Sequence, residues 1–254
     1  MKLVADYHTH TRYSHGKGAV EDNVKAAWEK GLKVVAITDH GPAHPFVGIK
    51  NLKTLRKIKK DIIKCQAKYP DLEILLGLEA NVISTSGELD ITPEYIKELD
   101  LLLVGLHTGI IPKDFSNTFD LVVKNWGAKI SSRLFREVRR INTSALIKAV
   151  TKYPVHTIVH PGLKLNIDTR GLARACVFRG TALEINSSHG HKTFEFIKAA
   201  APSRVKFVIN SDAHTPEEVG ELEPGVKMAQ KLGIESERIL NSFSCLNKKS
   251  EHFR

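Results

Sequence analysis

The chain has 254 residues, 42% hydrophobic and 26% charged, the balance of a soluble globular protein long enough to bury a full core. No apolar stretch approaches the roughly 18 residues that a transmembrane helix needs, and the amino terminus enters a strand pattern without a signal-peptide core, so a cytoplasmic location and no membrane partner are expected. The net charge of +10 favours anionic partners without separating a small phosphate ester from nucleic acid, while three scattered cysteines outside any C-x-x-C pair read as buried or incidental thiols.

In chain order, the apolar run Leu3–Tyr7 reads as a strand and ends in His8-Thr9-His10. A helix over Glu21–Lys30 stops at Gly31, and the strand Val34–Thr38 runs into Asp39-His40. The helix Ile49–Lys68 is stopped by Pro70, and the strand Ile74–Leu78 ends in Glu79. Thr92 caps a short helix with Pro93 at its first position, and the strand Leu101–Leu106 ends in His107. An insertion over 108–142 breaks the rhythm; it carries Phe115, Phe119 and Trp126 and the basic stretch 133–140, and is expected to overhang the site. The helix Thr143–Tyr153 precedes the strand Thr157–Val159, which ends in His160-Pro161-Gly162. A helix over Asp168–Arg179 leads to the strand Ala182–Ile185 and Asn186-Ser187-Ser188. A helix over Lys192–Ala201 then leads to the strand Phe207–Ile209 and Asn210-Ser211-Asp212-Ala213-His214, and Pro224–Leu232 is the last helix.

Strands alternating with helices indicate βαβ units and a parallel sheet. Polar clusters at the carboxyl ends of separate strands meet if those strands are parallel neighbours, as in a βα-barrel. Seven strands rather than eight predict an α/β fold of the distorted (β/α)7, TIM-like kind, with the site at the carboxyl ends. With no linker, repeat or low-complexity segment, one domain is expected.

Five of the twelve histidines (His44, His156, His189, His191 and His252) read as ordinary hydrogen-bonded residues. The other seven fall at strand ends or in the first loop, beside Glu79 and Asp212, a sorting that independent structural histidines would not show. Imidazole and carboxylate without thiolate suit hard or borderline divalent metals. His8 and His10 face the same way with Asp6 behind them. In Asp39-His40 at most one side chain faces the site, which leaves Asp39 to orient an imidazole.

His8-Thr-His10 with Ser14-His15-Gly16, Thr38-Asp39-His40-Gly41, Gly77-Leu-Glu79, Gly105-Leu-His107, Val159-His160-Pro161-Gly162 and Asn210-Ser-Asp212-Ala-His214 resemble, in order, the motifs of the PHP superfamily of polymerase-and-histidinol-phosphatase-type metallohydrolases. The resemblance is greatest to the small stand-alone phosphatases, and implies a single PHP domain over residues 1–254. It further implies that His8, His10, Glu79 and Asp212 hold one metal, and that Glu79 bridges to a second bound by His107 and His160. His15, His40 and His214 would hold a third, His15 on a spacing that varies between relatives. Two to three divalent ions are expected, zinc foremost, with manganese or iron as alternatives.

Two cations bridged by a carboxylate lower the pKa of a shared water, and a third takes phosphoryl charge. The expected reaction is therefore attack of metal-bound hydroxide on a small phosphomonoester, with Glu79 and Asp212 as catalytic carboxylates and Asp212 or a bound water protonating the leaving alkoxide. Arg12, Lys17 and Arg136 are candidate phosphate contacts, and Asn186 a residue facing the substrate or supporting a ligand. Two other readings are a nucleic-acid phosphodiesterase or exonuclease, and a non-catalytic PHP scaffold. Only 7% aromatic residues and no appended nucleic-acid domain count against the first, and the complete ligand set against the second.

Overall fold

The computed structural model describes residues 1–245; His252 lies outside them. Seven strands form one parallel sheet in sequential order: β1 (Ala5–Asp6), β2 (Val34–Ile37), β3 (Glu73–Asn81), β4 (Leu101–Gly105), β5 (Thr157–Ile158), β6 (Ala182–Asn186) and β7 (Phe207–Asn210). The helices are α1 (Val20–Glu29), α2 (Leu52–Lys68), α3 (Pro93–Ile96), α4 (Phe115–Thr118), α5 (Lys124–Gly127), α6 (Ser132–Lys152), α7 (Thr169–Arg179), α8 (Gly190–Ala200) and α9 (Glu223–Lys231). The sheet is a nearly closed barrel of α/β type. Every residue of β2 and β4 is buried, because helices cover one face and the barrel interior the other.

Alternation divides the strand side chains. Val35, Ile37, Leu102, Val104, Leu183, Ile185, Phe207 and Ile209 pack in the large outer core with the helices. Ala36, Leu101, Leu103 and Val159 form a small separate cluster with Tyr7 and Leu75. Cys65 and Cys176 belong to the outer core, where burial pushes the Cys176 thiol up to about 12.

Between β1 and β7 the ladder is incomplete and side chains substitute for it. The Asn241 amide donates to Ala5 O (2.8 Å) and Ile209 O (2.6 Å) and accepts from Ile209 N–H (3.1 Å). Higher up, His10 N–H donates to Ala213 O (2.8 Å) and Ala213 N–H to His8 O (3.2 Å). The ends that carry His8, His10 and Asp212 are thereby held together.

Two expectations need correction. Glu79 does not follow its strand: β3 runs on to Asn81, because β4 pairs alongside it through Glu79↔Leu103 to Asn81↔Gly105. The insertion over 108–142 is mostly helical, with a π-helical turn (Phe119–Val123) between α4 and α5. Its basic stretch is the first half of α6, which starts at Ser132 rather than Thr143. The Ser131 side chain caps it at Leu134 N–H, and Val138, Ile141, Ala145 and Ala149 carry one buried stripe through.

Asn241→Ala strands Ala5 O and both Ile209 backbone groups without partners. The variant is expected to lose about 3 kcal/mol of stability, read from the urea midpoint at unchanged m-value.

Candidate metal centre

The carboxyl ends of the strands bring together eight of the nine residues expected as ligands, with His15 at the rim. Glu79 is central and fully buried. Its Oε1 lies 2.9 Å from His107 Nε2 and 2.9 Å from His160 Nε2. Its Oε2 lies 2.6 Å from His40 Nδ1, 3.5 Å from His8 Nε2 and 3.6 Å from His10 Nε2. One carboxylate thus faces two groups of imidazoles with its two oxygens. Asp212 Oδ1 is 3.3 Å from His10 Nε2 and 3.5 Å from His8 Nε2. The His15 ring is exposed, 4.2 Å from the His214 ring and 4.9 Å from His40.

Three overlapping sets have ligand atoms within 4.8 Å of one another: His8, His10 and Glu79; His40, Glu79 and His107; and His10, His40 and His214. Facing ring nitrogens are 3.1 Å apart between His8 and His10 and 3.2 Å between His107 and His160. Two nitrogens each about 2.0–2.1 Å from one zinc stand about 3.3 Å apart at the tetrahedral angle. His40 Nδ1 and Glu79 Oε2, although close, do not hydrogen-bond, and both are buried without a partner, as is His10 Nδ1. Buried acceptors converging without hydrogen bonds fit divalent cations.

The backbone presents these groups under constraint. His160 (φ 27°) and Asp212 (φ 58°) are non-glycine residues in the left-handed region, which costs about 1–3 kcal/mol each unless the surroundings enforce it. At Gly105 any Cβ would fall 2.3 Å from the His107 ring, so that ring requires the glycine.

Sequence reasoning missed the residues that fix the rings. Glu184 Oε1 pairs with His8 Nδ1 (2.7 Å) and accepts from Asn210 Nδ2 (2.9 Å); Oε2 accepts from His160 N–H (2.7 Å) and Asn186 Nδ2 (3.0 Å). Asn81 Oδ1 meets His107 Nδ1 (2.7 Å), and its Nδ2 donates to Asp90 (2.6 Å). His214 Nδ1 is 2.8 Å from Asp212 O. Each contact turns the ring's Nε2 free. The available signal was parity: Glu184 shares a face with Asn186, and Asn81 with Glu79. Asn186 itself supports the site, donating to Asp212 Oδ2 (3.0 Å) as well as to Glu184.

Asp6 and Asp39 are corrected. Asp6 turns from the histidines to accept from Ser211 N–H and Oγ and from Gly220 N–H. Asp39 orients no imidazole: Thr11 N–H, Thr11 Oγ1 and Ser14 Oγ saturate it, so it braces the loop that carries His15. Burial raises both carboxyls, against these bonds.

The buried imidazoles and carboxylates perturb one another strongly. Burial keeps His10 well below the ordinary imidazole value and lowers His107 to about 4; burial and the neighbouring His214 and His40 rings lower His15 to about 4. His8 rises well above its ordinary value because Glu184, Asp212 and Glu79 outweigh burial. Glu79 and Asp212 lie well below theirs because the histidines outweigh it.

The centre opens into a cavity of about 200 Å³ whose lining includes His15, His40, His107, His160, Asp212 and His214. His44 and His189, expected to be ordinary, also line it, as does Lys164, which had no sequence signal. Arg12 and Lys17 are exposed and outside that lining. Arg136 lines a separate groove on α6 with Arg139, Arg140 and Lys148.

A parallel barrel whose strand ends hold a buried histidine–carboxylate cluster defines a metal-binding hydrolase of the barrel class. The PHP domain model matches residues 6–212. A Thermoanaerobacter (strain X514) protein named "probable phosphatase" is 31% identical over 257 residues, covering 95% of this chain and 91% of that one. One of the same name from Shewanella frigidimarina is 29% identical over 255 residues, covering 95% and 90%. The chain belongs to the PHP family. Among solved structures, histidinol phosphate phosphatase from Lactococcus lactis, complexed with zinc, L-histidinol and phosphate, shares the fold at TM-score 0.61 and 14% identity, covering 92% of this chain and 95% of that one. No helix of the described residues is long and apolar enough to cross a membrane.

Glu184→Gln keeps the shape but removes the charge beside His8 and sets an amide N–H₂ against one of the donors that Glu184 accepts. Metal affinity is expected to fall about 10–100-fold, measured by chelator competition, with the fold retained by circular dichroism.

Proposed function

We propose that the protein is a metal-dependent phosphatase that removes phosphate from small phosphomonoesters. The observation that carries this reading is Glu79, whose two oxygens face separate imidazole groups as a bridging carboxylate would. The phosphatase names of the full-length relatives support it, as does the phosphate in the Lactococcus structure. In this reading His8, His10, Glu79 and Asp212 hold one cation, Glu79 with His107 and His160 a second, and His40, His214 and His15 a third. Zinc is the first candidate because it is the metal of the Lactococcus structure and suits imidazole-rich sites; manganese and iron accept the same donors.

Divalent cations supply Lewis acidity and charge neutralisation for phosphoryl transfer to water. The chain contributes pre-organisation. Glu184 and Asn81 fix the rings of His8 and His107, and burial keeps His10 and His107 neutral with their lone pairs available. The histidines hold the Asp212 carboxyl well below its ordinary value, which suits a ligand. The small cavity admits the head of a phosphomonoester, with Val47, Leu106 and Leu163 as apolar walls.

Purified protein is expected to carry about two to three divalent ions per chain and to hydrolyse p-nitrophenyl phosphate faster than its bis-ester. Glu79→Ala should lose metal and turnover together, activity falling about 10²-fold or more. Diester cleavage alone would move the protein to the nuclease reading, and protein that stays inert after metal loading would make it a scaffold.

A further inference from the structure

Besides the ligand cluster, the cavity is lined by the apolar Val47, Leu106 and Leu163, by Thr108, by His44 and His189, and by a single lysine, the exposed Lys164. A phosphomonoester held there would bring an anionic phosphoryl group against these walls, and a cationic side chain is the natural partner for it. A lysine provides a point charge with three N–H groups. Arg12, Lys17 and Arg136 are not in the lining.

Lys164 is placed there by the turn that aims His160. In the segment His160-Pro161-Gly162-Leu163-Lys164, three residues take positive φ: 27° at His160, 87° at Gly162 and 61° at Lys164. The turn is held at one end by His160 N–H on Glu184 (2.7 Å), internally by Leu163 N–H on His160 O (3.0 Å), and beyond Lys164 by Leu165 and Ile167 in the core. Two non-glycine residues in the left-handed region within five positions mark a turn fixed by its surroundings. The ammonium makes no ion pair among the described residues, although other lysines, such as Lys113 with Glu88 and Lys68 with Glu21, are paired. Its charge acts on both imidazoles of the wall: after burial and nearer charges, Lys164 helps to hold His44 and His189 low.

We infer that Lys164 is a substrate-binding residue whose ammonium takes the phosphoryl oxygens that point away from the ligand floor, an inference that rests on the phosphatase reading above. The alcohol part of the substrate then lies along Val47, Leu106 and Leu163.

The test uses the zinc-loaded full chain and two substitutions, Lys164→Met and Lys164→Arg, with Lys57→Met on the exposed face of α2 as control. Metal content, kcat/KM for p-nitrophenyl phosphate and calorimetric affinity for inorganic phosphate are measured on each. Lys164→Met is expected to keep its metal and lose about 10–100-fold in both phosphate affinity and kcat/KM, the size of one charge-assisted hydrogen bond. Lys164→Arg should recover most of the loss and Lys57→Met should show none. Phosphate affinity and kcat/KM within about twofold of wild type in Lys164→Met would overturn the inference while leaving the phosphatase reading intact. A wild-type protein that binds metal but turns over no monoester would overturn that reading instead, and phosphate affinity would still decide the role of Lys164.

Discussion

Three carboxylates, Glu79, Glu184 and Asp212, are buried at the mouth of the barrel, and the surrounding structure is arranged to keep them charged there. A buried anion without partners costs many kcal/mol, so each must be neutralised or saturated. The three are satisfied differently. Glu184 has four hydrogen-bonding contacts with the protein and is complete. Asp212 accepts one strong bond, from Asn186, and turns its other oxygen to histidines. Glu79 has imidazoles on both oxygens and one oxygen without a hydrogen bond. The first is a support that fixes rings, and the other two are suited to cations.

A parallel barrel is well matched to this charge. Its strands are covered on both faces, so the backbone is rigid and dry, while strand ends deliver side chains from seven directions to one place. The inner surface changes character along the strands. Tyr7, Leu75, Leu101 and Leu103 pack at the amino-terminal end, and Glu79, Asn81, Glu184, Asn186 and Asn210 follow towards the other. Buried polar groups outside the cluster act as braces. Asp6 ties β1 to the loop that carries Asp212, Asp39 holds the loop that carries His15, and Asn241 replaces missing ladder bonds between β1 and β7. None of these braces touches the cavity, yet each sets the position of a residue that does.

The strained backbone has the same origin. His160 and Asp212 adopt left-handed conformations that a free chain would avoid. His160 is held by its N–H on Glu184, so the carboxylate that orients His8 also fixes the turn that ends at Lys164. Ligand geometry and cavity wall are therefore coupled through one buried side chain.

The sequence by itself determined the alternation of strands and helices and the parallel barrel, and it singled out the nine residues proposed as ligands. Apolar runs of strand length and polar residues at their ends are local properties, legible from types and spacing. It also showed that Asp6 and Asp39 stood near the site, but not what they do, because the partners of a buried carboxylate lie as many as 205 or more positions away, as Asp6 with Ser211 and Gly220 shows. The start of α6 was obscured although Arg133, Arg136 and Arg140 recur at helical spacing, because only packing shows that this basic stretch and the helix after it are one continuous element. Only the tertiary structure decided that Glu79 lies inside its strand, that Glu184 and Asn81 orient the rings, and that Lys164 rather than Arg12 or Lys17 lines the cavity. Strand pairing, hydrogen bonding and cavity lining depend on which distant segments become neighbours, and residue order alone does not specify those contacts.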